Sequence, residues 1–120
     1  MRRLPALSTL FFLASFPVLA GEVDVLDVQI SGSGTDYRFS VTVEHADTGW
    51  DHYADGWEVL GEGGKVYGKR VLAHPHVDEQ PFTRSGRITI PEGVKFVIVR
   101  ANDSVHGTGG REMKVAVPGR

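Results

Sequence analysis

The stretch Tyr37-Arg-Phe-Ser-Val-Thr-Val-Glu-His45 alternates large apolar side chains with polar ones, and a histidine closes the apolar series. Successive side chains of a strand point to opposite faces, so this period of two predicts a β-strand with one buried face. We therefore expect the ring of His45 at the mouth of the core. Residues 26–30 alternate in the same way, but Val25 is out of phase with them, which predicts a β-bulge near Leu26.

Five further segments have strand character and are separated by turns rich in glycine or proline; they lie at 57–60, 65–73, 87–90, 94–101 and 111–117. No window after residue 20 has a helical period. Seven short strands predict an all-β fold, a seven-stranded antiparallel sandwich of the immunoglobulin or fibronectin type III kind. Trp57 is then buried on the third strand. A small eight-stranded barrel is the structural alternative.

The first twenty residues differ from the rest of the chain. Arg2 and Arg3 precede an apolar run at 10–19, and small residues surround Ala20. This pattern predicts a signal peptide at 1–20 that is cleaved after Ala20, followed by a single β-sandwich domain at 21–120. The apolar run is too short for a membrane span, which takes about 20 residues. We therefore expect a periplasmic or secreted protein with no membrane span after cleavage.

Composition narrows the chemistry. The chain has no cysteine, so thiolate nucleophiles, disulfides and thiolate metal sites are excluded, and we expect no lipid anchor after the signal peptide. It carries 13 basic and 15 acidic side chains, and loss of the signal peptide removes two of the basic ones. A mildly acidic domain without a basic stripe is not expected to bind nucleic acid.

The topology of an antiparallel sandwich predicts a functional end. If each strand reverses direction, the three long connections at 46–56, 74–85 and 102–110 fall at the same end. These connections hold or adjoin every histidine in the chain, and we predict a site for a divalent Zn or Cu ion there, built from His45, His52, His74, His76 and His106. Carboxylates in the same loops are candidate alternative ligands or partners that orient the rings; they are Asp47, Asp51, Asp78, Glu79 and Asp103.

The most specific spacing within this set is His74-Pro75-His76. Proline favours an extended conformation in the residue before it, and residues two apart in an extended chain point the same way. The segment therefore predicts a chelating pair of imidazoles. Each histidine taken alone is more often a surface or hydrogen-bonding residue, so the prediction depends on the whole set converging.

The same loops also carry three aromatic residues, Trp50, Tyr53 and Phe82. These residues favour an alternative function, a protein-interaction module of the envelope, in which the histidines and carboxylates only stabilise the loops. A metal enzyme is a weaker third alternative, since it needs an open coordination position as well as protein ligands, and the metal-protease motif His-Glu-x-x-His is absent from the sequence. We expect a binding protein rather than an enzyme.

Two long motifs carry a resemblance. The segments HADTGWDHYADGW at 45–57 and HPHVDEQPF at 74–82, with NDSVH at 102–106, resemble a family of small exported proteobacterial proteins of unknown function. The resemblance covers most of the predicted mature domain. It implies export and attaches no activity to any residue. By analogy, the expected fold is also similar to periplasmic immunoglobulin-like sandwiches, some of which bind metals or partner proteins.

Overall fold

The computed structural model describes residues 21–120, so the predicted signal peptide at 1–20 lies outside the described residues. The fold is all-β, with seven strands and no helix between residues 21 and 120. The strands are β1 (Asp24–Ser33), β2 (Asp36–Glu44), β3 (Ala54–Leu60), β4 (Val66–Val71), β5 (Phe82–Thr89), β6 (Phe96–Asp103) and β7 (Met113–Ala116). The described part of the chain thus has no helix long and apolar enough to cross a membrane.

The strands form two antiparallel sheets. One has three strands in the order β1-β2-β5, and the other has four in the order β4-β3-β6-β7. Every pair of neighbours is antiparallel, as short reversing connections require. The pairing of β1 with β2 shifts register between Val25 and Asp27, which confirms the bulge predicted near Leu26. The arrangement in two sheets does not support the eight-stranded barrel.

The core lies between the sheets and is built from the predicted alternating positions. Phe39 and Val41 of β2 are fully buried, and Trp57 of β3 crosses the core toward β5. Gly86 of β5 lies opposite it, and a Cβ at that position would be in ordinary van der Waals contact with the far edge of the indole, at 3.5 Å. The largest core residue therefore packs against the opposite sheet.

Two strands begin earlier than the sequence predicts: β3 begins at Ala54 instead of 57, and β5 begins at Phe82 instead of 87. The expected strand at 87–90 is the end of β5, which starts at Phe82. Its residues Thr83 to Arg87 are polar or glycine on both faces, so they lack the alternation that marks a half-buried strand. Pairing with β2 along the whole length of β5 supplies the missing order. The second long connection is consequently shorter than expected and covers 72–81.

The three long connections lie at one end of the sandwich, as predicted. Hydrogen bonds join them to each other: the Ser104 amide donates to the Tyr53 carbonyl at 3.0 Å, and the His76 amide donates to Asp47 Oδ2 at 2.8 Å. The opposite end holds the short turns between β1 and β2, β3 and β4, and β5 and β6. The long-loop end therefore forms one continuous structure.

Candidate metal centre

Three residues from both sheets converge inside the long-loop end. His45 directly follows β2 of the three-stranded sheet, and Asp103 ends β6 of the four-stranded sheet. Each continues the inward-facing series of its strand, so both side chains are fully enclosed. His52 enters from the tight turn before β3, where the His52 amide donates to the Gly49 carbonyl at 3.2 Å. The centre therefore lies where the two sheets open at one end.

The ligand-type atoms of these residues face each other. The Nε2 atoms of His45 and His52 are 3.2 Å apart, and His52 Nε2 is 3.2 Å from Asp103 Oδ1. His45 Nε2 is 3.8 Å from Asp103 Oδ2. One nitrogen or oxygen from each residue lies within 4.8 Å of the others, the spacing of a group that can hold a metal ion. Four ligands at the usual Zn bond lengths are about 3.3 Å from one another in a regular tetrahedron.

Asp47 fixes the ring of His45 from the other side. Asp47 Oδ1 lies 2.6 Å from His45 Nδ1 and also accepts the Ala54 amide at 3.0 Å. Since the carboxylate only accepts here, we assign a ring proton of His45 to Nδ1, which leaves Nε2 as the ring atom available to a metal. The lone pair of Nε2 then points toward His52 and Asp103. A carboxylate behind the outer nitrogen of a histidine is the usual support for a metal ligand.

Asp103 is held as an anion although it is buried. Burial by itself raises the pKa of its carboxyl group, but hydrogen bonds from the backbone amides of His106 and Val105, together with the His106 ring, lower that pKa below its usual value. The two amides lie 2.6 Å and 2.8 Å from Oδ1. The carboxylate is therefore charged at neutral pH, as a metal ligand must be.

His106 borders the centre on its open side. Its Nδ1 lies 3.3 Å from Asp103 Oδ2, and its ring centroid is 4.9 Å from that of His52. The side chain of His106 is 37% exposed and that of His52 is 14% exposed, whereas the other two members are enclosed. A ligand that enters from solvent reaches the centre along the His52 and His106 side. We call His45, His52, His106 and Asp103 the carboxylate-facing cluster.

His74 and His76 do not join this cluster, so their predicted role as a chelating pair is corrected. Their ring centroids are 4.7 Å apart. The ring of His76 stacks on that of Phe82, with centroids 3.8 Å apart, and Arg84 Nη2 donates to His76 Nε2 at 2.9 Å. A guanidinium always donates, so it occupies the lone pair that a metal would need. We call His74 and His76 the arginine-facing pair.

The electrostatics of the arginine-facing pair agree with this contact. Burial first, then the positive charges of Arg84 and His74, lower the pKa of His76 despite the opposing effect of Glu79. The ring is therefore neutral, and its single proton lies on Nδ1 because Nε2 accepts from Arg84. That Nδ1 atom is buried without a hydrogen-bond partner among the described residues. The contacts around His76 thus anchor a loop and leave its ring no free lone pair for a metal.

The predicted carboxylates separate into two groups. Asp47 and Asp103 lie in the centre, and Asp103 takes a ligand position rather than only an orienting one. Asp51 and Asp78 are exposed and make no side-chain hydrogen bond among the contacts of residues 21–120. Glu79 is also exposed and lies 3.4 Å from Arg84 Nη2, beside the arginine-facing pair.

The predicted aromatic surface is only partly present. Trp50 is 67% exposed and packs edge-on against Tyr53, with ring centroids 5.5 Å apart. Phe82 is only 3% exposed because it begins β5 and stacks under His76, so its assignment to a partner-binding surface is corrected. The sequence prediction failed here because it placed Phe82 in a loop rather than at the start of a strand.

The sequence analysis also missed two side chains. Gln80 Oε1 accepts the His45 amide at 3.0 Å, and Gln80 Nε2 donates to the His76 carbonyl at 2.9 Å. The second is Arg84, which donates to His76 Nε2 and so occupies the lone pair that a metal would need. Neither residue carries a local signal, since a glutamine before proline and an arginine in a polar strand are both ordinary surface patterns.

No protein-family model matches the sequence. The chain is similar to an archaeal protein. That relative, from Halomicrobium mukohataei, carries the name "Putative lipoprotein" and is 46% identical over 95 residues, which cover 78% of this chain and 47% of the relative. The chain therefore spans about half the length of that relative. Because the relative is archaeal, the proteobacterial origin suggested by the motifs stays a prediction.

The fold is also similar to the crystal structure of a hypothetical protein from Pyrococcus horikoshii OT3. The TM-score is 0.53 at 18% sequence identity, and the match covers 82% of this chain and 90% of the other. A likeness at that identity concerns the fold alone.

Proposed function

We propose that this chain is an exported binding protein that holds a divalent transition metal, Zn²⁺ or Cu²⁺, through His45, His52 and Asp103. His106 or a water molecule completes the coordination on the open side. Nitrogen and oxygen ligands favour Zn²⁺ and Cu²⁺, whereas Cu⁺ prefers thiolate or thioether ligands, which this site lacks. Three protein ligands with one open position are also compatible with metal catalysis, but a binding role needs no further residue.

The observation that carries the proposal is the facing arrangement of enclosed ligand atoms. Two imidazole nitrogens 3.2 Å apart, with a carboxylate oxygen 3.2 Å from one of them, match the ligand edges of a tetrahedral site. Asp47 directs the lone pair of His45 into this space. The competing interpretation is a hydrogen-bonded network in which His52 donates its proton to Asp103 and no metal binds.

Two finer statements belong to the same proposal. The strand order β1-β2-β5 and β4-β3-β6-β7 supports a fibronectin type III type of immunoglobulin-like sandwich. The name of the Halomicrobium relative supports export of this chain, in line with the predicted signal peptide at 1–20. We carry over export alone from that name.

Calorimetric titration of tag-free, chelator-stripped protein with Zn²⁺ and Cu²⁺ tests the metal site. We expect one ion per chain and a higher Tm, because an ion that binds only the folded state stabilises it. At a free metal concentration of about 100 times Kd the gain is about 2.7 kcal/mol, or roughly 10 °C for a domain of this size. His52→Ala should abolish the gain, while His74→Ala, the matched control, should retain it. Equal Tm values with and without metal would overturn the proposal.

A second candidate function rests on Trp50, whose exposed indole packs against Tyr53 at the same end of the fold. Exposed tryptophan and tyrosine are frequent at protein interfaces, so this end is a candidate surface for an envelope partner. Affinity capture in the presence of a chelator distinguishes the two functions. A specific partner that is retained without metal and lost in Trp50→Ala favours the interaction module.

A further inference from the structure

The segment 76–80 lies behind the proposed metal centre and contacts it through two polar bridges. The first is the Asp47 carboxylate, which accepts His45 Nδ1–H on one oxygen and the His76 amide on the other, at 2.6 Å and 2.8 Å. The motif His74-Pro-His76 thus reaches the centre through its main chain, while its rings lie outside. The position of Asp47 depends on where this segment lies.

Gln80 forms the second bridge. Its Oε1 accepts the amide of His45 at 3.0 Å, and its Nε2 donates to the carbonyl of His76 at 2.9 Å. Both groups lie in a half-buried region where a lost hydrogen bond is not fully replaced by water. A single side chain therefore joins the backbone of the predicted ligand His45 to the backbone that supports Asp47.

The ring of His76 fixes the far side of this segment. It is stacked on Phe82 of β5 with planes 14° apart, and Arg84 of β5 donates to its Nε2 at 2.9 Å. The segment is consequently anchored to a strand of the three-stranded sheet, and Gln80 transmits that anchored position to His45. Residues that orient a metal ligand without touching the metal usually contribute about 10- to 100-fold to metal affinity.

We propose that Gln80 is a positioning residue of the metal centre, which it serves by holding His45 and Asp47 in register. This inference rests on the proposed metal-binding function. It assigns the conspicuous His74-Pro-His76 motif to the support of the centre and leaves coordination to His45, His52 and Asp103.

The test compares Zn²⁺ affinity and the electron paramagnetic resonance spectrum of Cu²⁺ in wild type, Gln80→Met and Gln80→Glu. Gln80→Met keeps the side-chain length and removes both hydrogen bonds, and we expect Kd to rise about 10-fold or more, with an altered Cu²⁺ spectrum. Gln80→Glu keeps the acceptor for the His45 amide and gives up the donor to His76, so its Kd should lie between the two. Gln29→Met is the matched control, because Gln29 lies on β1 and its side chain donates to Asp27 rather than to the centre.

The outcomes separate this inference from the function on which it rests. If wild type binds neither ion, both proposals are overturned. If wild type binds and Gln80→Met has the same Kd and the same Cu²⁺ spectrum, only the role of Gln80 is overturned. A lower Tm of metal-free Gln80→Met with unchanged Kd would likewise assign Gln80 to general stability, since affinity is measured where the protein is folded.

Discussion

The molecule contains two pairs of neighbouring histidines at the same end, and they have opposite chemistry. His45 and His52 have ring centroids 4.7 Å apart, and so do His74 and His76. In the first pair the rings meet edge-on at 68°, and their Nε2 atoms face each other beside Asp103. In the second pair the rings are tilted by only 31°, and Arg84 occupies the Nε2 of His76.

Proximity of two imidazoles therefore does not define a metal site. The charge of the group beside each pair decides whether a metal can bind. The carboxylate of Asp103 adds a ligand and balances the charge of a cation, whereas the guanidinium of Arg84 occupies a lone pair and repels a cation. The carboxylate-facing cluster is thus suited to a cation, and the arginine-facing pair is suited to packing. Three experiments test this contrast.

The largest effect is expected from Asp103→Asn. The change keeps the shape of the side chain but removes its charge, so Zn²⁺ affinity should fall by more than about 100-fold, the upper end for a residue that only orients a ligand. Calorimetric titration measures it. Glu79→Gln, beside the arginine-facing pair, is the matched control and should leave the affinity unchanged. Comparable losses of Zn²⁺ affinity in both variants would contradict the distinction between the carboxylate-facing cluster and the arginine-facing pair.

An intermediate effect is expected from His76→Ala. Removal of a buried ring that stacks on Phe82 should lower the free energy of unfolding of the metal-free protein by about 1–3 kcal/mol. His74→Ala, at an exposed position, should change it by less than about 0.5 kcal/mol. Urea denaturation in the presence of a chelator gives both values. A negligible cost at His76 would contradict its assignment as an anchor.

The smallest effect concerns pH. Burial and Arg84 lower the pKa of His76 in the folded protein, so as pH falls below about 6.5 the unfolded chain takes up the proton first. The stabilising contribution is therefore complete above that pH and is lost as pH falls toward the lowered pKa. His76→Phe, which keeps the stacking and cannot titrate, should lose less stability than wild type between about pH 7 and pH 5.5. His74→Phe removes one of the positive charges that lower the pKa of His76, so its loss should lie between those of wild type and His76→Phe. Urea denaturation at each pH compares the three proteins.

Much of the fold follows from the sequence because alternation marks strands with one buried face. The segment 37–45, the bulge near Leu26 and the burial of Trp57 are all confirmed. The first half of β5 was not predicted, because its polar residues and Gly86 carry no periodic signal. Its order comes from pairing with β2, a contact between residues far apart in the sequence.

The candidate site divides in the same way. The convergence of the long loops followed from reversing strands, and the inward series that places His45 applies equally to Asp103 on β6. Ring orientation could not be predicted, because it depends on Asp47, Gln80 and Arg84, which approach from other segments. The spacing of His74 and His76 suggested chelation because it gives the direction in which the two rings point along one extended segment. It does not show which side chains of other segments contact those rings.

The centre also connects the second and sixth strands, which belong to different sheets. If the sandwich is of the immunoglobulin-like type that we propose, these strands correspond to the pair that a disulfide joins in antibody domains. An ion shared by His45 and Asp103 would link the two sheets without a covalent bond, in a chain that has no sulfhydryl group to oxidise. With Zn²⁺, which has no redox chemistry, such a link would form equally well in reducing and oxidising surroundings, and its strength would follow the supply of metal rather than the redox potential.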